Sequence, residues 1–493
     1  MRVRLLDPGR ETPRSSEPPA GDPALIEDLG LDRLIETMAD GDAFLELVAR
    51  TELTRPVTDL DTLRYRLEVT ADALAHPDVV RALHRLANEA IESQRRLWRY
   101  GGRRVQSVLS KAVHGLTDVM PSLRSLRERA AEFRPVVESA GFSALLDSVL
   151  ADLDEAFFTE VEDHLARLQY HPDLAFTASL DVDGALTAVV PHRTEKRRRW
   201  RDLLGLPPAD QLTFTIAERD DAGARALGEM RDRALLGVAE ALGQCAEHVR
   251  AFYDALQWDT AFLLGCLNLH AALRDRGVDT CLPRPHERGG TVLHAARLRD
   301  PGLALLLGNA PVASDLDADG SSIVIISGAS QGGKTTFLRA LGTAQLLMQC
   351  GLVVPASVFE ASIVPRVHTH FRRGEDTTME HGKLDEELAR MSALVDAASP
   401  GDLVLSNDSF TSTNEREGGD IAREVFQGLL VGGVRVVAVT HLEPLVEGFL
   451  GEDSALFLAP QRTPEGQRTF VIQPERPNPT SHALDIFDAV FGS

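Results

Sequence analysis

The residues best suited to chemistry are Gly328-Ala329-Ser330-Gln331-Gly332-Gly333-Lys334-Thr335, followed by Thr336. The run fits G-x-x-x-x-G-K-[ST], the pattern of a phosphate-binding loop. Glycine lets backbone N–H groups close around a β-phosphate, and a following helix N-terminus adds partial positive charge. In that scheme Lys334 reaches the β- and γ-phosphates and Thr335 holds Mg²⁺. The chain's lysines are Lys111, Lys196, Lys334 and Lys383 alone, so a lysine falling here by chance is rare. A nucleotide site also needs a second strand that ends in an acid. Residues 402–408 supply an apolar strand closed by Asn407 and Asp408. Thr335, Asn407 and Asp408 are therefore the candidate metal shell, with Asp408 also placed to orient an attacking water. Asn407 adds no charge, and Asp408 is one methylene shorter than glutamate. A displacement of about an ångström can cost on the order of 10²-fold in rate, so slow hydrolysis is expected. His441 closes the next apolar run, Val436-Val437-Ala438-Val439-Thr440-His441. Residues just past the C-termini of parallel strands line the ligand crevice, which makes His441 the second catalytic candidate beside Asp408.

These side chains need a scaffold. Residues 322–327 read as a buried strand and residues 336–349 as a helix, the context the glycine loop requires. From residue 281 onward the texture is α/β. Strands are expected at 292–294, 323–327, 403–406, 435–440, 456–459 and 470–473, with helices between them, giving a largely parallel sheet covered by helices. Residues 24–170 read as helical throughout, punctuated by Pro56, Pro77, Pro121 and Pro135. Residues 176–186 read as a β-hairpin turning at Asp183-Gly184, and residues 212–216 as a further strand. Residues 221–276 hold no proline and read as one helix, on the order of 80 Å long if continuous. Residues 7–23, rich in Pro, Gly, Ser, Arg and Glu, read as a flexible lead-in. The expected division is a lead-in at 1–23, a helical core and lever body at 24–280 with its hairpin near 174–190, and an α/β domain at 281–493.

Composition excludes some functions. The chain has 493 residues and a formal net charge of −22, which argues against adhesion to DNA over the whole surface. Contact with nucleic acid would need a local basic patch. The densest is His192 to Arg201, in which Arg193, Lys196, Arg197, Arg198, Arg199 and Arg201 are the candidate DNA contacts and Trp200 could stack on a base. A second cluster spans residues 95–104. Either could equally be a solvated loop that pairs with acidic neighbours. Cys245, Cys266, Cys281 and Cys350 form no C-x-x-C pair and read as reduced core thiols. With no long apolar segment, a cytoplasmic protein without a membrane contact is expected. Asp315-Leu316-Asp317-Ala318-Asp319-Gly320 starts like a calcium loop, but Ile326 stands where its glutamate should be, so the segment reads as a polar turn.

At these residues the chain resembles the MutS family. Gly328 to Arg339, with Gly351-Leu352-Val353-Val354-Pro355-Ala356 after it, is similar to that family's ATPase domain. Thr440-His441 is similar to the family's Thr-His. Thr411-Ser412-Thr413 resembles the Gly-Thr-Ser turn where two composite ATP sites face each other. Residues 382–388 sit where the family has its signature helix, so the resemblance implies that Gly382, Lys383, Asp385 and Ser412 touch the other subunit's nucleotide. Residues 252–273, with Cys266-Leu267-Asn268-Leu269, look like the family's lever, and residues 63–86 like its core-domain helices. The implied fold is an α/β P-loop (ABC-type) ATPase domain at the C-terminus, preceded by a mainly α-helical core/lever body with a small β-hairpin.

The implied cofactors are ATP and Mg²⁺, and the implied assembly is a homodimer with composite ATP sites. DNA, duplex or branched and without sequence preference, is the implied further partner. The sequence departs from the better-known mismatch sensors at Asn407-Asp408, where the turn is also about two residues shorter. Helical pattern from residue 24 leaves no room for an N-terminal mismatch-recognition domain, so the chain looks like a short branch of the family. The alternative expectation is an ATP-gated protein-interaction scaffold that does not bind DNA, which the net charge favours.

Overall fold

The computed structural model describes residues 1–9, 23–98, 105–169, 174–180, 186–193, 221–328, 331–373, 382–463 and 467–475. They form two compact units. The first comprises residues 1–3, 82–136 and 144–257, and the second residues 4–81, 137–143 and 258–493. In chain order the helices are α1 (Pro23–Leu29), α2 (Asp32–Ala39), α3 (Ala43–Leu53), α4 (Leu60–Ala75), α5 (Pro77–Trp98), α6 (Val105–Phe133), α7 (Ala140–Asp152) and α8 (Glu155–Gln169). After the strands β1 (Leu174–Leu180) and β2 (Leu186–Arg193) comes α9 (Asp221–Asp275), a single helix of 55 residues, as the proline-free sequence leads one to expect. Next are β3 (Arg284–His286), β4 (Leu293–Leu298), α10 (Pro301–Leu307), β5 (Ser314–Asp317), β6 (Ile323–Ile326), α11 (Lys334–Gln349), β7 (Val358–Ser362) and β8 (Val367–Phe371). The last are α12 (Lys383–Ala397), β9 (Leu403–Asn407), α13 (Glu415–Val431), β10 (Arg435–Val439), α14 (Glu443–Glu447), β11 (Ala455–Arg462) and β12 (Arg468–Pro474).

The first unit is helical with one hairpin. β1 and β2 pair antiparallel with a bulge between Thr177 and Ser179. The predicted turn at Asp183-Gly184 and the predicted strand at 212–216 lie outside the described residues. Pro121 does not end a helix, as the sequence reading had it; it stands inside α6. Proline removes one intrahelical hydrogen bond, a cost that a 29-residue helix with a buried face can absorb. The acidic face of α8 is exposed, and Arg124 bridges Glu162 at 2.8 Å and Glu155 at 3.6 Å.

The second unit holds the sheets. A six-stranded sheet runs β12-β11-β6-β10-β9-β8, parallel throughout except for the antiparallel β11–β12 edge. Its central strands are short apolar runs, Ile-Val-Ile-Ile in β6 and Arg-Val-Val-Ala-Val in β10, buried on both faces as parallel strands must be. α11 covers it and is buried almost all round, from Lys334 to Gln349. A second, four-stranded sheet, β3-β7-β4-β5, was not anticipated. Its strands are three to six residues long and mix charged with small residues, so period-2 alternation is too brief to detect.

Two further readings are corrected. Ser314–Asp317 is a strand, β5, and the expected polar turn is confined to Asp319 and Gly320, just ahead of β6. The Asp315 carboxylate accepts from the N–H of Arg297 and that of Asp319 from the N–H of Leu293, so these acids hold backbone. Cys245 is exposed and is not a core thiol; Cys266 and Cys350 are buried. Among the described residues no helix is long and apolar enough to cross a membrane.

Candidate functional site

Register brings the candidate residues to one edge. Val439 of β10 lies opposite Ile326 of β6 on one side and Asn407 of β9 on the other. The three strands therefore end level, and the glycine loop, Asp408 and His441 all leave the same C-terminal edge, where parallel sheets bind ligands. The loop leaves β6 through Gly328 at φ +116°, passes Gln331 at φ +60° and enters α11 through Gly333 at φ +93°. Ala329 and Ser330 lie outside the described residues. The backbone angle at Gly333 is what calls for glycine, since a β-carbon there would only reach ordinary contact, 3.4 Å, with the carbonyl oxygen of Phe470 on β12. No side chain caps the N-terminus of α11. Arg468, at the start of β12, donates to the Gln331 side-chain oxygen at 2.9 Å.

Lys334 is buried, and its ammonium donates to the Gly328 carbonyl at 2.7 Å, folding back over the loop. Burial pushes its pKa down, while the Asp408 carboxylate opposes that shift. The Thr335 hydroxyl donates to the side-chain oxygen of Asn407 at 2.8 Å. Both oxygens of that pair are the type a hard divalent cation takes, so Thr335 and Asn407 fit the metal role expected of them. Thr336, half-buried, follows on the same turn.

Asp408 sits at φ +51° and Phe410 at φ +60°, two non-glycine residues in left-handed conformations within three positions. Their turn is pinned by Phe410, which is fully buried, and by helix α13, whose Gly418 passes so close that a β-carbon there would collide with the Phe410 carbonyl oxygen. The turn presents Asp408 to His441, whose Nδ1 donates to Asp408 Oδ1 at 3.1 Å. That hydrogen bond raises the His441 pKa above 6.5; burial and the nearby Lys334 pull the other way. The structure thus brings Gly328, Gln331, Gly332, Gly333, Lys334, Thr335, Asn407, Asp408 and His441 together.

Of the residues expected to reach a second subunit, Gly382 and Lys383 open α12, and Asp385 is exposed in its first turn. Ser412 lies near the same helix, close enough to Glu387 to oppose the rise in its pKa that burial causes. The DNA candidates Lys196, Arg197, Arg198, Arg199 and Arg201 lie outside the described residues, and Arg193 ends β2. Sequence reasoning missed two features. One is a cavity of about 330 Å³ beside the loop, lined by Asn309, Pro311, Val312, Gly333, Phe337 and Phe470. The other is a buried network of His370, Ser406 and Ser409 behind Asp408. Two histidines spaced i, i+2 in a short strand were its only sequence signal.

The geometry thus defines a class, a candidate polyphosphate site on the C-terminal edge of a parallel sheet. Comparison with known proteins narrows it. The family model for the MutS2 N-terminal domain matches residues 58–276, and that for MutS domain V matches residues 324–450. Endonuclease MutS2 of Carboxydothermus hydrogenoformans is 28% identical over 207 residues, 41% of this chain and 26% of that protein. DNA mismatch repair protein MutS of Synechococcus sp. strain WH7803 is 25% identical over 428 residues, 80% of this chain and 44% of that one. Endonuclease MutS2 of Thermus thermophilus is 31% identical over 123 residues, 25% of this chain and 16% of that one. The chain belongs to the MutS family. It spans less than half the length of these curated relatives.

Proposed function

We propose that the chain is a MutS-type switch that binds and slowly hydrolyses ATP with Mg²⁺, acts as a homodimer with composite sites, and contacts DNA in repair or recombination without probing mismatches. The domain scheme proposed is a lead-in at 1–23, a helical core and lever body at 24–280 and a P-loop ATPase domain at 281–493. The observation that carries the reading is the level ending of β6, β9 and β10, which gathers Lys334, Thr335, Asn407, Asp408 and His441 around one glycine loop. Backbone N–H groups of the loop and the Lys334 ammonium would hold the β- and γ-phosphates. Thr335 and Asn407 would hold Mg²⁺, which when bound neutralises phosphate charge. Asp408 would orient the attacking water, with His441 fixing the carboxylate and sensing the γ-phosphate. The cavity beside Gly333 has the apolar walls and size suited to a base. Gly382, Lys383, Asp385 and Ser412 would face the partner's nucleotide, and closure would then be a population shift, because the γ-phosphate touches both subunits only when they meet.

Melting of the chain with and without saturating Mg-ATP tests this. A ligand at 100-fold its Kd stabilises by about 2.7 kcal/mol, and Lys334→Ala should abolish that gain. Equal shifts in the two proteins would remove the nucleotide assignment. ATP turnover with added duplex or branched DNA, followed across salt, separates the switch from a scaffold. Stimulation that fades with salt supports DNA contact, and no binding at low salt with ATP present leaves the scaffold, which the net charge of −22 favours.

A further inference from the structure

Behind the Asn407–Asp408 turn lies a polar network that none of the proposed phosphate, metal or water contacts uses. His370 stands on β8 and is 1% exposed. Its Nε2 is 3.2 Å from the carbonyl oxygen of Glu387 on α12, and its Nδ1 is 2.6 Å from the Ser409 hydroxyl oxygen. A carbonyl only accepts, so Nε2 carries the proton and Nδ1 accepts from Ser409, whose hydroxyl also lies 3.2 Å from the His370 main-chain carbonyl oxygen as a second, longer acceptor. The Ser406 hydroxyl, 2.7 Å from that of Ser409, then donates to the oxygen of Ser409. The ring stacks on Phe410, with centroids 5.8 Å apart and planes at 28°. Burial pushes the His370 pKa down to about 4, which favours the neutral ring at ordinary pH.

The network joins three elements at one point. Ser409 is the residue between Asp408 and Phe410, both held at positive φ. Such a turn persists only when its surroundings over-determine it. Phe410 supplies an apolar anchor below, and Ser409 supplies the polar one. The third element is α12. Beside the carbonyl bond to His370, the buried Glu387 carboxylate lies close enough to Ser412, at the far end of the same turn, for Ser412 to oppose the rise in its pKa that burial causes. The turn that carries Asp408 is therefore bridged to α12 through His370, with Ser412 beside Glu387 as a second approach.

We propose that His370 is a positioning residue for Asp408. It fixes the turn through Ser409 and ties it to α12 through the Glu387 carbonyl, so that movement of α12 is felt at the carboxylate. This rests on the ATPase reading of the site and adds to it. Lys334 bonds the Gly328 carbonyl and Thr335 the Asn407 side chain, whereas the His370 network runs through Ser409 and Ser406, so nucleotide affinity and turnover should separate.

The test is hydrolysis measured in single and multiple turnover, together with ATP-dependent melting, on the full chain with Mg-ATP. Wild type is compared with Ser409→Ala, His370→Phe and His370→Asn. Ser409→Ala and His370→Phe should lose about 10- to 100-fold in kcat, with KM and the melting shift held within about two-fold. His370→Asn keeps an acceptor near the Nδ1 position and should recover most of the lost rate. Unchanged kcat in both Ser409→Ala and His370→Phe overturns the proposal. So does a KM that rises in step with the loss of rate, which marks general disorder of the site. Ser409→Ala alone decides the matter if the larger ring at 370 prevents folding. A wild type with neither a melting shift nor hydrolysis removes the ATPase reading and this proposal with it, whereas a normal wild type with indifferent variants removes the positioning role alone.

Discussion

The two ends of helix α11 are built on opposite principles. At its C-terminal end every exposed backbone group is answered by the protein. Gly351 turns the chain at φ +75°, and a β-carbon there would stand 2.6 Å from Arg66 Cβ. The guanidinium of Arg66 reaches the Cys350 carbonyl at 3.5 Å and also donates to the Leu6 carbonyl, while the Thr70 hydroxyl donates to the Gly351 carbonyl at 2.6 Å. Behind Arg66 lies Glu52, fully buried, 3.7 Å from the guanidinium and bonded to the Trp258 indole N–H at 2.8 Å. At the N-terminal end no side chain caps the helix, two glycines hold positive φ, and a buried lysine is folded onto a loop carbonyl. One end is finished by the fold, and the other is the end that the proposed function assigns to a ligand. The difference teaches where stability and function are separately stored.

The sharpest way to break that comparison is to cut each end. Arg66→Ala removes the cation beside the buried Glu52 carboxylate, and breaking a buried pair costs about 3–5 kcal/mol. Urea unfolding should register that loss without nucleotide present. Lys334→Ala should cost under about 1 kcal/mol in the same assay, because burial already disfavours the charged lysine and its removal relieves desolvation. If Lys334→Ala proves the more destabilising of the two, the N-terminal end is structural and the contrast fails.

A second cut separates binding from chemistry within the N-terminal end. Asp408→Asn keeps the shape of the turn and removes the charge. Turnover should fall by on the order of 10²-fold and an ATP-bound dimer should accumulate, while the melting shift with Mg-ATP persists. Size-exclusion of the variant with ATP checks the second half. Unchanged turnover would mean that a residue other than Asp408 positions the water.

The same contrast explains what was legible in the sequence. The N-terminal end is written in contiguous residues whose chemistry has a fixed spacing, so Gly328 to Thr335 could be read directly. Asn407-Asp408 and His441 followed because each closes an apolar run, and the register of β6, β9 and β10 then made them neighbours. The C-terminal end is made by Glu52, Arg66, Thr70, Trp258 and Gly351, which are far apart in the chain. No local spacing announces a pairing of that kind. His370 and Ser409 were hidden for the same reason, 39 residues apart on different elements. The second sheet was missed because β3 and β5 are only three and four residues long. Pro121 misled because tertiary packing can carry a proline through a long helix.

The smallest expected effect concerns His441, whose bond to Asp408 is one of several made within the protein at that end. Its side chain is 51% exposed and pairs with an Asp408 side chain that is 30% exposed, so solvent screens much of the interaction. The folded pKa is raised above 6.5 by that hydrogen bond. A raised histidine pKa means that the folded chain binds the proton more tightly than the unfolded one. The stabilisation is therefore complete below about pH 6.5, declines as pH rises through the folded pKa, and is gone above it. Wild type should be more stable than His441→Gln by less than about 1 kcal/mol at pH 6, and the two should converge by about pH 9. Urea midpoints across that range, at low salt and without nucleotide, give the answer. A difference that grows with pH would reverse the sign and show that His441 is held neutral, which would leave the Asp408 carboxylate without the cationic partner that the geometry assigns to it.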